Sequence, residues 1–188
     1  MTFTYPHTIE NGHGEILTFE RRVMTPNGEQ VEGWNRVTRP GAGPPFHTHF
    51  HEEESFTVRE GRLGYQLLGG PEQFAEVGET VTFPKGTPHR FWNAGEGDLR
   101  CAASIRPPGN IEYFLGAIFE AQKNGSGGRP NLMDASYLLW RYRSEYRMDE
   151  MPWLVRTVVT PIVALVAGLA GRRRKYADAP PPRGSRTS

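Results

Sequence analysis

Between Gly41 and Gly61 the sequence reads GAGPPFHTHFHEEESFTVREG, with three histidines alternating along five residues and three glutamates directly behind them. Imidazole nitrogens and carboxylate oxygens are donors that divalent metals accept, so the cluster is a candidate for metal chemistry. Side chains two apart on a strand share a face, which sets His47 beside His49. In the strand that follows, Glu54, Phe56 and Val58 take one face and Ser55, Thr57 and Arg59 the other. Glu54 then heads an apolar row facing inward, where an ionised carboxylate is costly unless it is paired or bound to a metal. His51, Glu52 and Glu53 fall in the turn FHEEE and are expected to be solvated, with Glu53 a substitute ligand only if the register shifts. A second stretch, GETVTFPKGTPHRFWN, places His89 on one face with Phe91 and Asn93 and offers a further donor.

Both stretches resemble the two cupin motifs. Gly41, five residues, His47-x-His49, four residues, Glu54, six residues, Gly61 is similar to the first. Gly78, five residues, Pro84-x-Gly86, two residues, His89, three residues, Asn93 is similar to the second. The resemblance covers roughly residues 14–107 and implies a mainly β fold, a double-stranded β-helix of jelly-roll (RmlC-like) type, enclosing one divalent metal. Carried over residue by residue, it implies His47, His49, Glu54 and His89 as the ligands. The metal is left open among Fe, Mn, Ni, Zn, Co and Cu, since ligand type alone does not choose. On an octahedral ion four such ligands leave two positions for a substrate oxygen and for O₂ or water.

Strand parity gives the expected pocket wall: Phe56, Val58, Leu63, Tyr65, Leu67, Val81, Phe83 and Phe91. This wall is apolar and aromatic, with Tyr65 its polar handle, and suits a small, partly aromatic, oxygen-bearing molecule better than a polyanion. Arg36 is the nearest arginine that could reach inward. No catalytic acid or base beyond the ligands is assigned, and Tyr65 and Glu53 are the nearby candidates. Three functions stay open: a metal-dependent oxygenase, isomerase or lyase; a non-catalytic binding or sensing module; and an interaction or membrane-associated scaffold built on the C-terminal helices.

The elements that must position these residues follow from the pattern. Short alternating segments with turn signals run from about Phe3 to Ile105, among them GEILTFERRVM, VEGWNRVTR and LRCAASIRP, and indicate an all-β sandwich or barrel. His7 and His13 lie in a polar leader and are read as bystanders. Cys101 shares parity with Leu99, Ala103 and Ile105 and is read as a small core residue. After Pro107 the period becomes helical. The first helix has Asn110 as N-cap and Phe114, Ile118 and Ala121 on one face. The second spans NLMDASYLLWRYRSEYRM with Leu132, Leu138, Leu139 and Tyr142 apolar, and the third runs from Pro152 to about Arg172. The expected organisation is therefore a barrel over 1–107, a helical extension over 108–172, and a disordered basic, Pro-rich tail over 173–188.

Charge and composition exclude some classes. The net charge is +1, but the tail from Arg172 carries six Lys/Arg against one acid, so the body is mildly acidic. An acidic body argues against nucleic-acid binding. A single cysteine permits no internal disulfide, and the N-terminus lacks the basic and apolar regions of a secretory signal, so the expected location is cytoplasmic. The fifteen uncharged residues between Arg156 and Arg172 span ~22 Å as a helix, short of the ~30 Å hydrocarbon core. A packed helix or a homodimer interface is favoured over membrane contact through 153–175.

Overall fold

A computed structural model describes residues 3–184. In chain order the strands are β1 (His7–Glu10), β2 (Glu15–Thr25), β3 (Gly28–Val37), β4 (His47–His49), β5 (Glu53–Glu60), β6 (Leu63–Leu67), β7 (Glu72–Ala75), β8 (Thr80–Phe83), β9 (His89–Asn93) and β10 (Leu99–Arg106). Helices α1 (Ile111–Lys123) and α2 (Leu132–Arg141) follow, then a strand β11 (Tyr146–Met148) and helices α3 (Thr160–Ala167) and α4 (Arg173–Lys175). The strands form two antiparallel sheets, ordered β1-β2-β3-β10-β5-β8 and β11-β4-β9-β6-β7. They face each other as the jelly-roll sandwich that the alternating pattern required.

Two apolar clusters hold the molecule. One closes the base of the sandwich with Val37, Phe56, Val58, Leu63, Val81, Phe83, Phe91, Leu99 and Cys101. Burial drives the Cys101 thiol up to about 12, which makes it the inert core residue its parity suggested. The other joins the sandwich to the helices through Phe19, Val31, Ile105, Ile111, Phe114, Leu138, Tyr142 and Tyr146. Glu112 in the first turn of α1 is fully buried and pairs with Arg22 on β2, while the Tyr5 hydroxyl donates to it at 2.8 Å. His7, expected to be a bystander in a polar leader, packs here, stacked between Phe3 and Phe19.

Several helical expectations are corrected. Asn110 makes no side-chain cap; its amide donates instead to Glu145 at 2.9 Å, whereas Asn131 caps α2 through Met133 and Asp134. The second helix stops at Arg141 because Tyr146 and Met148 pair as β11 with His49 and His47 on β4. Those residues alternate in the short stretch YRM, and the open edge of β4 supplies the hydrogen-bonding partner that a helix would have had to forgo. Leu132, expected on the apolar face of α2, is exposed.

The third helix begins with a π turn over Val155–Val159, since Pro161 has no N–H to give the ordinary helical bond. A second π turn over 168–172 contains a kink at Gly171, whose φ is +100°. The segment Val155–Lys175 is 21 residues and contains an 18-residue window of mean hydropathy 1.4, long and apolar enough to cross a membrane by length and composition. It nonetheless lies along α2, with Thr160, Ala164 and Ala167 buried. Ile162, Leu165 and Leu169 face outward. The tail, expected to be disordered from 173, packs as far as it is described: Tyr176 is buried and its hydroxyl donates to Asp134 at 3.0 Å. Residues 185–188 of that expectation lie outside the described residues.

Leu138 is fully buried where α2 meets the sandwich. Leu138→Ala is expected to cost about 2–5 kcal/mol by urea unfolding, with metal content of the folded protein unchanged. A loss of metal at full stability would mean that the helices do more than pack.

Candidate metal centre

The two glycine-bounded turns and the pairing of β4 with β9 set the site. His47 on β4 lies directly opposite His89 on β9. Glu54 comes from β5 in the facing sheet, opposite Phe83 and Ile105. One ligand atom from each of His47, His49, Glu54 and His89 falls within 4.8 Å of all the others. Gly86 takes φ +78°, a backbone region that favours glycine, and its N–H donates to the His49 carbonyl at 2.7 Å. That bond ties the loop before His89 to the strand carrying the other two histidines.

Backbone carbonyls fix the imidazole tautomers. His47 Nδ1 lies 2.9 Å from the Pro45 carbonyl and His89 Nδ1 2.8 Å from that of Thr87. A carbonyl only accepts, so both Nδ1 atoms carry the proton and both Nε2 lone pairs are free for a ligand role. His89 Nε2 then sits 3.2 Å from Glu54 Oε2. Two lone pairs at that distance repel unless a cation, either a proton or a metal ion, stands between them. Phe83 stacks flat on the His89 ring at 4.0 Å and holds its plane.

Electrostatics keep the set ready for a cation. Burial, reinforced by the neighbouring His49 and His89, lowers His47 to about 3, and burial also lowers His49. Burial alone would raise Glu54, but a proton shared with His89 Nε2 and the three surrounding imidazoles outweigh it and hold the carboxyl at about 2. A neutral His47 and His49 beside an ionised Glu54 are the protonation states that metal ligation requires of them. On that observation the residues fit a divalent ion.

A cavity of about 690 Å³ is lined by three of these residues, His47, His49 and Glu54. It runs between the sandwich and the helices, walled by Leu17, Phe19, Phe56 and Phe91 on one side and Phe114, Ile118, Phe119 and Leu139 on the other. Of the eight expected wall residues, Phe56 and Phe91 line it. Val58, Leu63, Val81 and Phe83 pack in the base cluster, Leu67 is exposed, and Tyr65 donates outside the cavity to Gln73 at 3.1 Å. Parity marks which residues point inward and leaves open which end of the sandwich stays hollow. Arg36 points outward and pairs with Asp98. Glu53 pairs with Arg106, while Glu52, expected to be solvated, is buried and raised to about 7, first by burial and then by Glu145. Arg183 of the tail lies 3.8 Å from Glu52. His51 is exposed as expected, and His13 borders the cavity mouth.

Sequence reasoning passed over Glu15 and Asn35, which also line the cavity. The signal was present: Glu15 shares parity with Leu17 and Phe19, and Asn35 with Val31 and Val37. That is the pattern that singled out Glu54.

The His47 shift has a pH consequence with a definite sign. Its folded value of about 3 lies below the ordinary 6.5, so on acidification the unfolded chain takes the proton first. Metal-free protein therefore loses stability as pH falls below about 6.5, by at most ~1.4 kcal/mol per pH unit for this group. Urea unfolding in chelator at several pH values between roughly 6.5 and 4 is expected to give a shallower slope for His47→Ala than for wild type. Equal slopes would show that His47 is not held neutral by burial.

Comparison with known proteins adds the family context. Residues 36–105 match the family model described as Cupin domain. Oxidoreductase iacF from Pestalotiopsis fici is 38% identical over 50 residues, which is 27% of this chain and 24% of that protein. Probable oxidoreductase virH from Hypocrea virens is 29% identical over 75 residues, 39% of this chain and 34% of that protein. The chain thus spans a quarter to a third of the length of these curated relatives. A double-stranded β-helix protein from Klebsiella pneumoniae superposes with TM-score 0.43 at 19% identity, covering 50% of this chain and 73% of that one. With each glycine-bounded motif crossing between the two sheets, from β4 to β5 and from β8 to β9, the sandwich of this chain has the cupin fold and is followed by C-terminal helices.

Proposed function

We propose that the chain binds one divalent transition metal through His47, His49, Glu54 and His89 and acts on a small, largely apolar or aromatic, oxygen-bearing molecule in the adjoining cavity. The reaction class we favour is oxidoreductase, of oxygenase type, ahead of isomerase or lyase. The observation that carries this reading is that three residues of the four-residue cluster, His47, His49 and Glu54, line the cavity. The names of the two curated relatives support the redox class. A bound ion would supply Lewis acidity or one-electron chemistry. The chain's own part is to hold the ligands deprotonated, exclude water with Phe56, Phe91, Phe114 and Phe119, and orient the substrate between the sandwich and α1. The Pro45 and Thr87 carbonyls keep the imidazole planes in place throughout.

Elemental analysis of untagged protein beside the His47→Ala/His49→Ala double variant tests the metal. About one equivalent of a redox-active metal is expected in wild type and a loss of at least tenfold in the variant. O₂ uptake with small aromatic acids and alcohols then tests the reaction class. Zinc alone would remove the oxygenase reading, and no metal after reconstitution would remove the site.

The exposed apolar row of the third helical segment supports a second reading, that of a homodimer. Trp153, Leu154, Ile162, Leu165 and Leu169 are all more than half exposed. A contiguous apolar surface of this kind is rarely left to water, and we propose that a second copy covers it. Sedimentation equilibrium is expected to show a wild-type dimer and an Ile162→Glu/Leu165→Glu monomer that keeps its metal. A monomeric wild type would overturn the dimer, and co-sedimentation with anionic vesicles would assign the row to a membrane surface instead.

A further inference from the structure

The cavity has polar side chains that the metal reading leaves unused. The row of residues across the sheet through Glu54 runs by Ile105 to Val31. Asn35 lies four residues further along β3, about 13 Å at the rise of a strand, in the row of Cys101 and Leu17. Its amide donates to Glu15 Oε1 at 3.1 Å, while its own Oδ1 is buried without a partner. Gln122 Oε1, on α1 and lining the same cavity, is also buried and unpartnered. Among the described residues no lysine or arginine forms an ion pair with Glu15, although the residue is only 8% exposed. A buried amide oxygen left unpaired costs free energy comparable to a lost hydrogen bond, so this arrangement calls for a donor that arrives from the cavity.

We propose that Glu15 and Asn35, with Gln122 on α1, form a recognition site for a hydroxyl group at the end of the ligand remote from the histidines. The substrate class is then a molecule with an oxygen function at one end, an apolar or aromatic middle, and an alcohol or phenol at the other end. This deepens the reading above and rests on it. The chemistry is reciprocal: the ligand O–H donates to Asn35 Oδ1, and its oxygen accepts from the Glu15 carboxyl. Burial, opposed by the Asn35 hydrogen bond and aided by the charge of Glu54, raises Glu15 to about 7, so a protonated donor is populated near neutrality. Leu17 lies beside Asn35, and Phe19, Phe114 and Phe119 add apolar wall to the same cavity.

The test uses full-length protein loaded with Mn²⁺ and two probes, para-hydroxycinnamate and cinnamate, which differ only by the hydroxyl. Paramagnetic relaxation of the probe protons reports whether the carboxylate end approaches the histidines, and titration gives the affinities. Both probes should be relaxed in wild type, with para-hydroxycinnamate bound about tenfold more tightly. Glu15→Ala and Asn35→Ala should abolish that preference, whereas the isosteric Glu15→Gln, which keeps a donor, should retain it. Relaxation of both probes with equal wild-type affinity would overturn the hydroxyl site and leave the metal-dependent reading standing. Absence of relaxation for both would overturn that reading and the hydroxyl site with it. The wild-type comparison requires no variant to fold.

Discussion

The organising constraint of this protein is a carboxylate placed inside a β-sandwich opposite an imidazole lone pair. Glu54 and His89 come from different sheets, and bringing them to 3.2 Å creates a contact that only a cation makes favourable. Much of the local architecture serves to hold that contact. The Pro45 and Thr87 carbonyls lock the tautomers, Phe83 lies flat on His89, and the Gly86 N–H ties the intervening loop to His49. None of these partners is itself a candidate ligand. Together they remove the freedom by which the rings could turn away and relieve the repulsion.

The second constraint is the hollow next to this site. A sandwich whose two sheets meet everywhere has no room for a ligand, and the base cluster around Leu63 and Leu99 is closed in that way. At the other end the sheets separate and α1 supplies the missing layer, with Phe114 and Phe119 in place of side chains from the facing sheet. Glu112 anchors that helix through its buried pair with Arg22. The helical extension is therefore part of the cavity wall.

Much of this was legible in the sequence, because motif spacing and strand parity are local properties. The inward direction of His47, His49, Glu54 and His89 follows from a period of two residues, as does the burial of Cys101. The same rule, applied to Glu15 and Asn35, would have found the second polar pair. What stayed hidden depends on contacts between distant segments. Tyr146–Met148 reads as the end of a helix until the open edge of β4 is there to pair with it. Glu52 reads as a solvated turn residue until the chain around Arg183 returns to cover it. Leu63 and Phe83 point inward as expected, yet only the closure of the sheets determines that they fill a base and not a pocket wall.

The pairing of β11 with β4 bears on how such a chain can diversify. The ligand strands belong to the sandwich, while one edge of β4 and one wall of the cavity come from the segment after Pro107. The candidate ligand set and the helical wall of the cavity are thus carried on separate stretches of sequence, joined by this pairing and by the Glu112–Arg22 contact. Exchange of residues along α1 would reshape that wall of the cavity without altering one candidate donor atom.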